Sequence, residues 1–358
     1  MRGDHGFVYA GGIAGALLVA LIAGTACGSN DRKPPHFTGG SGGDGPTGGT
    51  FAATSSTGFS DVVQCDQNLA LEATDPMDGA KAIGLCSGVT KAEWVRADGS
   101  ALGQGDFGPG GDGDLNLGKG ILPAFGNTVK PREGARMLVL SSGSARTPTN
   151  VGYHSVKGWW KDNTQHSPPP NYPKASPACP NVVSGGVYDS AGLRLEIQPP
   201  ETAKGMSFDF DFYTFEFPKY ICSTYNDFFV ALMTPTPAGL PDANISFDEI
   251  GNTISVNAGF LKVCHPQTAS DGKFYACEDG PGDLAGTGFD GLDTGVTDNS
   301  AATNWLVTKA PITDPSVPIT IQFAIWDAGD GVLDSTVLID NFRFELEEVP
   351  VGTQPAPK

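Results

Sequence analysis

Basic residues are scarce: 22 Lys plus Arg stand against 40 Asp plus Glu, a formal net charge of −18 at neutral pH. That argues against nucleic acid and anionic lipid as partners and leaves cations as attractive ones. The chain also lacks a CxxC pair, an HExxH, a Walker loop and a Ser-His-Asp arrangement, so the commonest motif-borne chemistries have no foothold. Helical periodicity is thin. Glycine and proline, 49 and 28 residues, exceed the usual share of about 12% without a Gly-X-Y period, which excludes collagen and disfavours a helical bundle. What is present, 358 residues with 39% hydrophobic content, suffices for one large domain or two modest ones.

Phe7 to Ala26 is uncharged and apolar, preceded by a short region with Arg2 and Asp4. It reads as an export signal over residues 1–26. Gly24-Thr25-Ala26-Cys27 resembles a bacterial lipobox with Cys27 at the acylated position, although Gly24 stands where Leu, Val or Ile is usual. Ordinary cleavage after Ala26 and an uncleaved membrane helix are the alternatives. Residues 27–60 are Gly, Ser, Thr and Pro with few aliphatics. They are expected to form a flexible, lipid-anchored linker spanning roughly 30 Å.

Seven cysteines are an odd number for an exported chain, and acylation of Cys27 leaves Cys65, Cys86, Cys179, Cys222, Cys264 and Cys277 to pair. Fifteen pairings exist on paper. Loop length favours Cys264 with Cys277 and Cys65 with Cys86, which leaves Cys179 with Cys222.

The one persuasive helix begins at Asp75 as N-cap, with Pro76 at its first position and Asp78 in its first turn, and is expected to run to about Leu85. Beyond it the chain reads as strands. Leu193, Leu195 and Ile197 alternate with polar neighbours, as do Ile319, Ile321, Phe323 and Ile325, whereas Met137–Leu140 and Phe228–Met233 are apolar on both sides. The expected fold is mainly β, a two-sheet jelly-roll-like sandwich over residues 61–348 with one short helix. Residues 143–180 look like a long loop excursion, and residues 349–358 like a disordered tail.

Asp209 and Asp211 share one face of a strand whose other face carries Phe208, Phe210 and Phe212. A retaining glycosidase needs carboxyls about 5 to 5.5 Å apart across a sugar, and the Glu-x-Asp-x-x-Glu strand of laminarinase-type sandwiches is missing. A solvated strand face is the plainer expectation. Asp327, Asp330 and Asp334 lie in a Gly-rich loop before the last long strand, and Asp340 falls in an inward row unless a bulge lies near Asn341. These four are the expected ligands of a calcium ion; an acidic turn with Asp340 paired to Arg343 or backbone amides is the alternative. Asp106, Asp112 and Asp114, and Asp290, Asp293 and Asp298, form similar but sparser groups. Trp159 and Trp160, adjacent in the excursion and flanked by Lys157 and Lys161, are candidate sugar-stacking residues, with loop packing as the alternative.

From Glu216-Phe217-Pro218 and Tyr225-Asn226-Asp227-Phe228-Phe229 onward the chain resembles the choice-of-anchor L domain family. Members of that family carry a Ser-Glu-Glu-Tyr-Pro box followed by a Phe-Asn-Asp-x-Phe box. Gly120-Ile121-Leu122 with Gly126, Asn244-Ile245, Ser255-Val256-Asn257 and Leu333–Asp340 extend the likeness to about Asp75–Phe344. Here Thr214-Phe215-Glu216-Phe217-Pro218 keeps one acid where the family box has two. The resemblance implies a surface-displayed extracellular domain with no defined enzyme chemistry. Together these readings predict an exported bacterial lipoprotein at the outer membrane or cell surface. Its membrane partner is reached through the anchor, and its sandwich binds extracellular protein or glycan without catalysis. A secreted polysaccharide hydrolase on a concanavalin-like sandwich is the alternative.

Overall fold

The computed structural model describes residues 64–103, 115–162, 164–269 and 272–357. Cys27, the signal and linker segments, and Asp106, Asp112 and Asp114 lie outside the described residues.

Helix α1 spans Pro76–Ala82, and the Asp75 carboxylate accepts from the Met77 amide at 2.9 Å. The helix stops short of Leu85 because Gly84 turns the chain at φ +92°. Strands β1 (Val89–Val95), β2 (Lys119–Leu122) and β3 (Met137–Ser141) precede a small ribbon of β4 (Ala175–Ser176) and β5 (Cys179–Val183). The long strands β6 (Val187–Ile197), β7 (Gly205–Thr214) and β8 (Phe228–Thr234) follow, then the short β9 (Ile254–Ser255) and β10 (Val263–Cys264). A second ribbon, β11 (Gln267–Thr268) and β12 (Phe274–Tyr275), leads to β13 (Ala301–Ala302) and β14 (Leu306–Pro311). The chain closes with β15 (Ile319–Ala328), β16 (Ser335–Glu345) and β17 (Gly352–Pro355).

Two antiparallel sheets result. One has the order β1-β6-β15-β8-β9; the other has the order β10-β13-β7-β16-β3-β2, with β14 also paired to β7 and β17 to β14. Alternation decides which side chains meet between them. Leu193, Leu195, Phe229, Ala231, Ile321 and Phe323 from the first sheet face Met206, Phe208, Phe210, Phe212, Val337 and Ile339 from the second, in one buried cluster. Phe208 packs edge-on against Phe323 at 4.9 Å, and Phe210 lies 5.0 Å from Phe229. The fold is a β-sandwich, as the alternation predicts.

Two expectations need correction. The outer face of β7 is not solvated. Loops carrying Phe125, Leu284 and Phe289 pack on that side with Tyr213 and Leu338, so Asp209 and Asp211 are each only 2% exposed. The tail is not frayed either: β17 adds to the sheet edge through backbone pairing from Leu306↔Pro355 to Lys309↔Gly352, and the Thr308 and Thr353 hydroxyls share a hydrogen bond at 2.7 Å.

Candidate functional site

At one end of the sandwich the inward-facing apolar rows run out into acids. On β15 the row Ile321, Phe323, Ile325 continues into Asp327, and on β6 the row Leu195, Leu193, Ala191 leads back to Asp189. On β8 the row Met233, Ala231, Phe229 leads back to Asp227. Beyond β7 the row Phe210, Phe212 reaches Glu216 by way of Thr214. Asp334, which immediately precedes β16, joins them from the loop that carries the chain from one sheet to the other. All five acids are buried. Because the side-chain period of a strand is two, the same pattern that fills the core delivers carboxylates to its end.

Few donors meet them. The Asp227 amide donates to Glu216 Oε2 at 3.3 Å, and the Ala328 amide donates to Asp227 Oδ1 at 3.0 Å. Asp227 Oδ2 and both carboxylate oxygens of Asp327 and Asp334 are buried without a hydrogen-bond partner among the described residues. Burial, then the neighbouring Asp327, pushes Glu216 well above the ordinary carboxyl range. Burial and Glu216 do the same to Asp227, and burial, Asp227 and Asp334 do the same to Asp327. Asp334 is raised by burial and by Asp189, against an opposing pull from Lys161.

Lys161 comes from the 143–180 excursion, which is bound to the sheet-crossing loop through the Gly158 amide on the Val332 carbonyl at 2.8 Å. Its ammonium is fully buried and donates to the backbone carbonyls of Ser141 at 2.7 Å and Asp189 at 2.6 Å. Burial lowers its pKa to about 8, while Asp189 and Asp334 act in the opposite direction. The Asp189 carboxylate in turn accepts from the Lys161 and Asp162 amides at 3.3 and 2.6 Å. Space at this point is tight. A Cβ on Gly143 would collide with the Asp334 carboxylate, and one on Gly118 with the Lys161 ammonium.

The residues singled out from sequence separate into two places. Asp327 and Asp334 sit in the cluster; Asp330 is near it but exposed, with Oδ1 accepting from the Val332 amide at 3.2 Å. Asp340 is elsewhere. Asn341 adopts φ +55° and the pairing of β16 with β7 shifts between Asp340 and Arg343, so Phe342 turns inward and Asp340 stays on the outer face. Six residues of extended chain put Asp340 about 20 Å from Asp334. It lies across from Asp209, and its Oδ2 accepts from the Arg132 and Glu133 amides at 2.5 and 3.1 Å. Arg132 Nε also reaches Asp209 at 3.1 Å, whereas Arg343 stands 3.9 Å from Asp209. Asp340 therefore cannot share one ion with Asp327 and Asp334. Its backbone partners match the alternative reading of that residue.

The other groups have local roles. Asp290 accepts from the Gly286 and Leu292 amides at 2.7 and 3.0 Å, and Asp293 accepts from the Tyr153 hydroxyl, while Asp298 is exposed. Trp159 and Trp160 are half-buried. The Trp159 ring stacks on His154 at 3.8 Å and 6°, so one of its faces is taken, and Trp160 lies against Gly331 of the sheet-crossing loop. The three disulfides form as loop length favours: Cys65–Cys86, Cys179–Cys222 and Cys264–Cys277. Among the described residues, no three His, Cys, Asp or Glu side chains are already gathered as a metal-binding group. Glu216, Asp227, Asp189 and Lys161 are the members of the cluster that sequence reasoning missed; the signal was an acid ending each apolar row.

The structure is thus a β-sandwich with a buried acidic end and three disulfides. The Choice-of-anchor L domain model matches residues 125–345, and the chain belongs to that family. The match begins later than the likeness from about Asp75 suggests, but it covers both boxes. The family is one of surface-associated, exported bacterial proteins. No curated protein and no solved structure matches the chain.

Proposed function

We propose that the chain is a bacterial lipoprotein, held at the outer membrane or cell surface by acyl chains on Cys27, whose sandwich is a non-catalytic binding or adhesion module for protein or glycan. The observation that supports this reading over a polysaccharide hydrolase is the sealing of the acids. Glu216, Asp227, Asp327 and Asp334 are each at most 2% exposed. None of them lines the principal surface cavities among the described residues, including the one of about 860 Å³ beside Lys204 and Ile312. A glycosidase must present its carboxyls to both sides of a sugar. The net charge of −18 turns the partner set away from nucleic acid. Trp159 and Trp160 are the aromatic candidates for ligand contact in this reading.

The test has two arms. Cys27→Ser should move the protein out of the membrane fraction and remove the acyl mass from its N-terminal peptide. In the second arm the purified protein, screened on immobilised glycans and surface proteins, should retain a ligand without releasing reducing ends from polysaccharide. Unchanged membrane partition of Cys27→Ser would sink the anchor. Reducing-end release abolished by Glu216→Gln would overturn the non-catalytic reading.

A further inference from the structure

Asp327 and Asp334 place four carboxylate oxygens in the interior with no donor, and Asp227 adds a fifth. Burying an ionised carboxylate without a partner costs several kcal/mol, so a fold that gathers several must neutralise them. The cluster's own cation is insufficient. Lys161 spends hydrogen bonds on the Ser141 and Asp189 carbonyls, and it stands as one positive charge against Glu216, Asp227, Asp327, Asp334 and Asp189.

The donor set selects the missing partner. Every free atom is oxygen, and the six described cysteines are in disulfides. Imidazole is occupied too, since His166 is paired with Asp162. Zinc, which prefers nitrogen and sulfur, is therefore disfavoured. Magnesium demands a rigid octahedron and keeps its waters, whereas calcium accepts six to eight oxygens in loose geometry and suits a dry nest of carboxylates.

We propose that Glu216, Asp227, Asp327 and Asp334 bind one calcium ion at the acidic end of the sandwich core. Two of these acids belong to each sheet. Glu216 follows β7 and Asp334 precedes β16 in the eight-stranded sheet, while Asp227 precedes β8 and Asp327 lies on β15 in the five-stranded one. The ion is thus a clamp between sheets. It draws the carboxylates inward by side-chain rotation, since no three of them are gathered as a metal group beforehand. The proposal is independent of what the module binds.

The test is calcium titration of the full chain after stripping with EGTA, read by melting temperature and by native mass spectrometry. One calcium per chain should bind, with a melting temperature that climbs with the logarithm of calcium above the dissociation constant. Equal magnesium should give a smaller rise. Asp327→Asn and Asp334→Asn should each weaken calcium at least tenfold, yet both should melt higher than wild type in EGTA because a buried acid has been removed. Asp340→Asn, on the other face of β16, should keep the calcium-dependent rise. Wild type with no bound calcium and no shift overturns the proposal, as does full calcium affinity in Asp327→Asn and Asp334→Asn. Should either variant fail to fold, Glu216→Gln and the wild-type mass spectrum decide by the same criteria.

Discussion

The Asp227 amide donates to the Glu216 carboxylate at 3.3 Å, and through that bond the two short boxes of the family meet in space. The acid retained in Thr214-Phe215-Glu216-Phe217-Pro218 is the one with inward parity. Phe215, where the first of the family's two acids would stand, has the opposite parity and packs in the outer apolar layer with Tyr213 and Phe289. Losing that acid therefore leaves the inward cluster intact.

The disulfides should be complete and individually important. Titration of the denatured protein, processed at Cys27, should find no free thiol. Replacing Cys179 and Cys222 together by Ala opens a link across 43 residues and should lower stability by about 2 to 4 kcal/mol in urea unfolding.

Stability should fall as pH rises toward neutrality. Burial raises Asp211 to about 7, against the hydrogen bond from Thr303, and raises Asp340 to about 7 against its three backbone donors. For each, the folded value lies above the unfolded one, so the folded state holds more protons between roughly pH 4 and 7 and loses that advantage as pH climbs through 7. Asp211→Asn should flatten the slope of unfolding free energy against pH by up to about 4 kcal/mol over that window. An unchanged slope would assign the titration to other groups.

Gly143→Ala should destabilise. The added methyl would overlap the Asp334 carboxylate, next to the turn in which the Gly143 amide donates to Ser141 Oγ at 3.0 Å. Overpacking of this kind costs about 1 to 3 kcal/mol, readable as a lower urea midpoint at constant m-value.

Truncation after Glu348 should uncover the β14 edge. It removes the β17 pairing, the Thr308–Thr353 hydrogen bond and the Ala356 amide bond to the Trp305 carbonyl at 2.9 Å. The shortened protein should melt lower and self-associate in sedimentation experiments, because an exposed strand edge recruits another chain.

Period-two alternation carried most of the sandwich, and Asp75-Pro76 marked the helix, because both signals are local. β17 was invisible since Gly352-Thr353-Gln354-Pro355 has no apolar row; it is held by backbone bonds that any sequence can make. The bulge at Asn341 reversed the parity of Asp340, and a single residue at positive φ leaves little trace in a string of letters. Asp209 and Asp211 were misplaced for a different reason: the cover over them comes from irregular loops distant in sequence. The acidic cluster was half legible. Asp327 and Asp334 stood out by composition, whereas Glu216, Asp227 and Lys161 needed three-dimensional convergence to join them.

In both sheets a late strand sits between early ones: β15 lies between β6 and β8, and β16 lies between β7 and β3. A chain threading through an export channel from its N-terminus therefore holds two sets of open edges until residues 319–345 emerge. Neither sheet can close before then, and neither can the acidic end that joins them.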